Sequence, residues 1–306
     1  MSAPIVVGFD PRAPEEAPVN FGLAAARFTG APLVVVVIDG GGPTLHRLAA
    51  GELPDDLTPG DRAALDHMRA RIKAEPGVSG DFRVITDHSA ARGLHRAIEE
   101  DGAALAVVGA TTRGAAERAA LGSVAERVIH GSPCPVAVVP HGFAGTGLHT
   151  IGVAYTDSPE GEQALRAAVG LTARAGEAKL RVITVLHEEA GTLAAPRAGE
   201  RAAEVLPEEI AARHNLSARD AVDAALADAG SGVEAEIEVI YGDPAEGLIG
   251  FTATLDLLVM GSRAYGPRRA VLLGGVSRRV TAAAQCPVVV LPRGAERALT
   301  ELVASG

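Results

Sequence analysis

Short unbroken apolar runs alternate along the chain with stretches whose apolar residues recur every three or four positions. In the first half the runs are Ile5–Phe9, Leu33–Ile38, Phe82–Thr86, Leu105–Gly109 and Val136–Val139. They are rich in Val, as expected of parallel strands covered on both faces. Helical spacing between them predicts helices over Glu16–Phe28, Asp61–Lys73, Ala90–Glu100 and Ser123–His130. The order then repeats. Strands are predicted at Ile151–Tyr155, Leu180–Leu186, Glu234–Tyr241, Leu255–Met260 and Val288–Leu291, and helices at Glu160–Ala175, Glu208–Ala229, Ala245–Thr254 and Val276–Ala284. Strict β/α alternation predicts an α/β protein with a doubly wound, five-stranded parallel sheet in each half. Such sheets take ligands beyond the carboxyl ends of their strands, where the strand order switches.

The two halves are copies. "GATTRGAAERAALGSVAERV" begins at Gly109 and "GSRAYGPRRAVLLGGVSRRV" at Gly261, a shift of 152 positions. The same shift takes Gly122 to Gly274, Val128 to Val280 and "CPVAVVP" (Cys134–Pro140) to "CPVVVLP" (Cys286–Pro292). At the front, "IVVGFD" (Ile5–Asp10) matches "IGVAYT" (Ile151–Thr156) at a shift of 146. A period of one whole domain is a tandem duplication rather than a solenoid. The expected organisation is a first domain over residues 1–142, a linker over 143–150, a second domain over 151–294 and a tail over 295–306. Gly142, Gly145 and Gly147 loosen the linker, which is too short to part the halves. The segments 40–60 and 188–207 read as surface loops, and the tail as a fraying helix.

The 306 residues allow two cores, and 47% of them are hydrophobic. Aromatics are only 3%, so the apolar content suits helices packed on Val-rich strands better than an aromatic-lined pocket. Up to Thr146 there are 13 basic residues against 17 acidic ones, and after it 15 against 21. Neither half is basic, which argues against nucleic acid or an anionic membrane as partner. A bound anion must be held by local dipoles. The two cysteines sit at equivalent places and form no disulfide framework, which predicts a reducing compartment. The start carries no secretory pattern, and no apolar run reaches the ~20 residues of a membrane span. A soluble, cytoplasmic protein is expected.

Gly109 ends a strand, and Gly122 and Ser123 open a helix. A helix start presents free N–H groups and a partial positive charge, so it holds phosphate without Lys or Arg. The same residues serve a plainer reading. "SVAE" (Ser123–Glu126) is a capping box in sequence, and glycines are common in βα turns. Spacing alone favours the plainer one.

These residues, with the strand after them, resemble the universal stress protein family, and the resemblance runs over nearly the whole chain twice. "LGSVAERV", "CPVAVVP" and "YGDPAEGL" (Tyr241–Leu248) carry it. It implies a Rossmann-like domain of the adenine nucleotide alpha hydrolase-like type in each copy. It also implies a stress-response regulator that binds ATP or a related adenine nucleotide, with or without Mg, and acts through a protein partner. The family's ATP-binding members carry Gly, two residues, Gly, nine residues, Gly, then Ser or Thr, and an Asp at the end of the first strand. In the first copy Gly109, Gly122 and Ser123 match, Thr112 replaces the second glycine, and Asp10 is the strand-end Asp. The resemblance implies nucleotide contacts from Gly8, Phe9, Asp10, Val37, Gly109, Thr112, Arg113, Gly122, Ser123 and Val124. In the second copy Thr156 replaces the Asp, with Asp157 next to it; Ala264 replaces the second glycine and Gly275 the Ser. Weaker contacts are implied there for Tyr155, Thr156, Asp157, Val185, Gly261, Arg263, Gly274, Gly275 and Val276, and Arg268–Arg269 adds charge. The first copy is expected to bind nucleotide and the second weakly or not at all. The family's dimers imply that the last strands of the two copies pair inside this chain as a pseudo-dimer. Association of two whole chains as a homodimer stays open.

His88 and His95, beside Asp87, are seven apart and supply at most two ligands, so no metal site is expected. No Walker loop, nucleophile elbow or zinc-protease motif is present. Two other readings stand beside the nucleotide-binding regulator: an interaction module whose nucleotide loops have degraded, and a slow ATPase. The latter rests on fold analogy.

Overall fold

Parallel strands bury both faces, and the computed structural model shows how the Val-rich runs satisfy this. It describes residues 3–40, 57–110, 121–145, 147–186, 216–217, 219–227, 232–262 and 274–292. The first copy runs β1 (Ile5–Gly8), α1 (Ala17–Thr29), β2 (Leu33–Asp39), α2 (Pro59–Ala74), β3 (Gly80–Thr86), α3 (Ala90–Asp101), β4 (Leu105–Gly109), α4 (Ser123–Ile129) and β5 (Val136–Val139). The second runs β6 (Thr150–Ala154), α5 (Pro159–Ala175), β7 (Lys179–Leu186), α6 (residues 219–227), β8 (Ala235–Tyr241), α7 (Pro244–Phe251), β9 (Leu257–Gly261), α8 (Gly275–Ala283) and β10 (Val288–Leu291). The loop expected over 188–207, the tail, most of the loop over 40–60 and the first residues of the helix expected over Glu208–Ala229 lie outside the described residues.

The ten strands form one sheet in the order β3-β2-β1-β4-β5-β10-β9-β6-β7-β8. Within each copy every described pairing is parallel, and β5 meets β10 antiparallel. The pairing of last strands thus occurs within the chain. Alternate residues supply two cores. Val35 and Val37 join Leu65, Leu165 and Val182 on the face covered by α1, α2 and α5. Val34 and Val36 join Ile98, Ile129 and Val290 on the face of α3, α4, α7 and α8. The outer strands β3 and β8 carry charge that blunts them as edges. Arg83 pairs with Asp101 beside β3, and Arg181 of β7 reaches Glu238 of β8 at 2.7 Å.

Local chemistry moves several boundaries. Helix α2 starts at Pro59, because Thr58 and Asp61 close a reciprocal capping box before it. Helix α7 stops at Phe251 and a 3-10 turn covers Thr252–Thr254. There the Thr252 and Thr254 hydroxyls donate to Ile249 O at 2.7 Å and Phe251 O at 2.9 Å. Such back-bonding competes with continued helix, and β9 begins two residues later than expected.

Candidate nucleotide cleft

In the order β3-β2-β1-β4-β5 the strand order switches between the parallel neighbours β1 and β4, and a cleft of about 720 Å³ opens at that switch. Its floor is strand ends: Gly8, Phe9 and Asp10 after β1, Val36 and Ile38 from β2, and Val108 and Gly109 from β4. Gly8 keeps the floor low, since a Cβ there would stand 3.1 Å from Leu94 Cδ1 of α3. Val124 and Ala125, in the first turn of α4, form a wall.

Of the residues singled out in the first copy, Gly8, Phe9, Asp10, Gly109 and Val124 line this cleft together. Val37 turns its side chain into the opposite core, while Val36 and Ile38 on either side of it face the cleft. Gly122 and Ser123 stand at the head of α4, two residues and one residue before Val124. Thr112 and Arg113 lie outside the described residues. The capping box at Ser123 does not form. Gly122 is the N-cap, with φ −62° and ψ 145°, and it has no side-chain cap. Ser123 is already the first helical residue and is exposed. The plainer reading of the serine therefore loses its hydrogen bond.

Asp10 is exposed, and its Oδ1 accepts from the Arg12 N–H at 3.0 Å. The chain then turns, with the Ala13 N–H donating to Asp10 O at 3.2 Å, and Arg12, Ala13, Pro14 and Glu15 edge the cleft before α1 begins. The expected helix start at Glu16 leaves this stretch as a loop, but sequence reasoning assigned Arg12, Ala13, Pro14 and Glu15 no part in the site. The Arg12 guanidinium stands 3.6 Å from the buried Asp39. Glu15 Oε2 meets His141 Nε2 at 2.6 Å, which ties the loop to the chain after β5. At the far side His88 Nδ1 lies 3.0 Å from Gly40 O. Arg92 holds Asp87 through Nε contacts of 3.0 and 2.9 Å. That guanidinium keeps the Asp87 carboxyl below the usual carboxylate range, against the opposing effect of burial. His95 is engaged elsewhere, with its Nε2 3.0 Å from Arg127 O, and it ties α3 to α4. Among the described residues no group of three or more His, Cys, Asp or Glu could hold a metal ion.

The second copy is built differently at the same place. Helix α5 begins at Pro159, whereas α1 begins at Ala17, four positions later in the aligned register. The extra turn sits on the strand ends. A Cβ at Gly261 would stand 2.6 Å from Glu160 O, whereas at Gly109 the nearest atom is Pro18 Cγ at 3.1 Å. The Thr156 hydroxyl is 3.0 Å from the Ser158 hydroxyl, which caps α5. Tyr155 is buried, and burial first, with Asp157 beside it, raises its hydroxyl pKa. Asp157 is exposed and Val185 half-buried. Gly274 caps α8 without a side chain, and Gly275 and Val276 follow as its first residues. The change from Ser to Gly at 275 therefore removes a hydroxyl but no cap, because Ser123 made none. Arg263, Ala264 and Arg268–Arg269 lie outside the described residues.

Among the described residues no helix is long and apolar enough to cross a membrane. The universal stress protein family matches residues 1–140 and again 147–292. A universal stress protein of Mycobacterium tuberculosis is 26% identical over 240 residues, 75% of this chain and 78% of the relative. A universal stress protein structure from Pseudomonas aeruginosa superposes with a TM-score of 0.67 at 17% identity, covering 99% of this chain and 98% of its own. A universal stress protein solved in complex with cAMP is 27% identical, covers 48% of this chain and 98% of its own, and has a TM-score of 0.33. With both copies matched end to end, the chain belongs to the universal stress protein family as a tandem, two-copy member.

Proposed function

We propose that the first copy (domain over residues 1–142) binds an adenine nucleotide, ATP or a close relative, and that occupancy changes how the protein engages a regulatory partner. The supporting observation is the cleft at the β1/β4 switch, where Asp10, Gly8 and Gly109 meet the uncapped head of α4. Its size falls within the ~300–1,000 Å³ of small-molecule sites. Asp10 takes the hydroxyls of the nucleoside, and Phe9 and Val37 offer main-chain groups. Gly109, Gly122, Ser123 and Val124 receive the phosphates on main-chain N–H groups, helped by Thr112 and Arg113. No lysine is needed, because a helix head and glycine backbone supply the positive potential. Mg enters, if at all, with the phosphates. In the second copy the extra turn of α5 sits where the first copy keeps an open loop, so that copy serves as scaffold. The buried free thiols Cys134 and Cys286 suit a reducing, cytoplasmic setting.

Nucleotide released on denaturing the purified protein, and calorimetric titration with ATP, AMP and cAMP, test this reading. One nucleotide per chain is expected, lost in Asp10→Ala. Two per chain, or none in a folded sample, defeats it. Phosphate release no faster than spontaneous hydrolysis is expected, which separates binding from an ATPase.

A further inference from the structure

A second cavity, of about 380 Å³, lies where the two halves join. Its walls come from α1, the linker, Leu171 of α5, the first residues of β4 and β9, and Val289 of β10. Three phenylalanines line it, Phe21, Phe28 and Phe143. They are half of the six in a chain with few aromatics, so this one place concentrates what composition made scarce. Phe21 and Phe143 meet edge to face with centroids 6.1 Å apart.

Several of the polar groups around it are already engaged. Arg27 pairs with Glu75. The Thr29 hydroxyl donates to Ala25 O at 2.7 Å and accepts from Ala31 N at 3.3 Å. Asp256 Oδ2 accepts from the His149 and Thr150 N–H groups, each at 2.8 Å. The carbonyls of Phe28 and Phe143 accept from Arg174 Nε and Asn20 Nδ2, both at 3.1 Å. A buried water needs about two to four polar partners, and a polar ligand would lose its own hydration without repayment. The volume lies within the ~300–1,000 Å³ range of small-molecule sites, which favour domain junctions.

The geometry points to a second ligand site at this junction, separate from the nucleotide cleft, that takes a small, flat, uncharged, hydrocarbon-rich molecule. Helix α1 is common to both sites. Its Pro18 borders the nucleotide cleft and its Phe28 borders this cavity.

The neutral fluorophore N-phenyl-1-naphthylamine probes the site in the full chain. Saturable enhancement at one probe per chain is expected, unaffected by Asp10→Ala. Ala24→Phe and Leu148→Trp, both at half-buried lining positions, should fill the cavity and weaken binding at least tenfold while nucleotide content stays unchanged. Non-saturable binding, or unchanged affinity in either variant with a wild-type melting temperature, overturns the site. Should both variants fail to fold, crystals of the unaltered chain soaked in 1-bromonaphthalene decide. Bromine density between Phe28 and Phe143 supports the site, and its absence there overturns it.

Discussion

Ala137 and Val289 face each other across β5 and β10, and they are the same position in the two copies. The shift of 152 that relates the copies takes one onto the other, and it takes the flanking partners Val138 and Val288 onto Val290 and Val136. A pseudo-twofold axis therefore passes through this pair, as in an isologous dimer interface. Both side chains are buried in the core cluster shared by the two halves. Ala137→Lys places an unpaired charge at that axis and should cost on the order of 3–5 kcal/mol. Urea denaturation should show both halves destabilised together. A change confined to one half would mean that the seam does not couple them.

Asp10 is exposed and among the described residues bonds within its own loop, so its removal should spare the fold. Asp10→Ala should change stability by less than ~0.5 kcal/mol. Loss of a hydrogen bond to a charged group, about 1.5–3 kcal/mol, should weaken nucleotide binding roughly 10- to 100-fold. Thr156→Ala, at the equivalent place, should leave affinity unchanged. Calorimetry on both variants compares the copies directly.

Two glycines of α5 should respond with opposite signs. A Cβ at Gly161 would stand 1.9 Å from Thr156 O, a backbone atom that cannot swing aside, whereas Gly170 has nothing within 4 Å. Gly161→Ala should destabilise by about 1–3 kcal/mol or more through overpacking. Gly170→Ala should stabilise by about 0.4–1 kcal/mol, because alanine restricts the unfolded chain and suits the helix. Thermal melts of the pair check the packing of α5 on its sheet.

Burial pushes the Cys134 thiol up to about 11 and the Cys286 thiol to about 12, against an ordinary value of 9.0. Both should resist alkylation at pH 8 in the native chain and react fully in denaturant. The unfolded thiols ionise first, so the unfolded state binds fewer protons above pH ~9. Stability from these groups is thus complete below about pH 9 and falls as pH rises toward the folded values. Melting in Cys134→Ala should show a shallower alkaline decline. An unchanged slope in the double alanine variant would remove the thiols as its source.

The strands and their partners were legible in sequence because unbroken Val runs have one stable use, a parallel sheet buried on both faces. Val35 and Val36 point to opposite cores, and both are fully buried. The duplication was legible because equal spacing needs no structure to see. That the loop from Asp10 to Glu15 edges the cleft was not. Its matched segment in the second copy is helical from Pro159, and the difference depends on how each sits over its own strand ends. The serine at 123 misled in the other direction: its pattern fits a capping box, yet Gly122 takes the cap position and leaves the hydroxyl unused.

Sequence by itself determined the two α/β copies, their shared spacing and the residue types at the strand ends, because periodicity and covalent order are local properties. Only the tertiary structure decided that Ala137 meets Val289, that the turn of α5 over Gly261 closes what the Asp10 loop leaves open beside Gly109, and that three scattered phenylalanines line one cavity. Those outcomes depend on which surfaces come within a few ångströms after folding, and residues far apart in the chain carry no local signal of that contact.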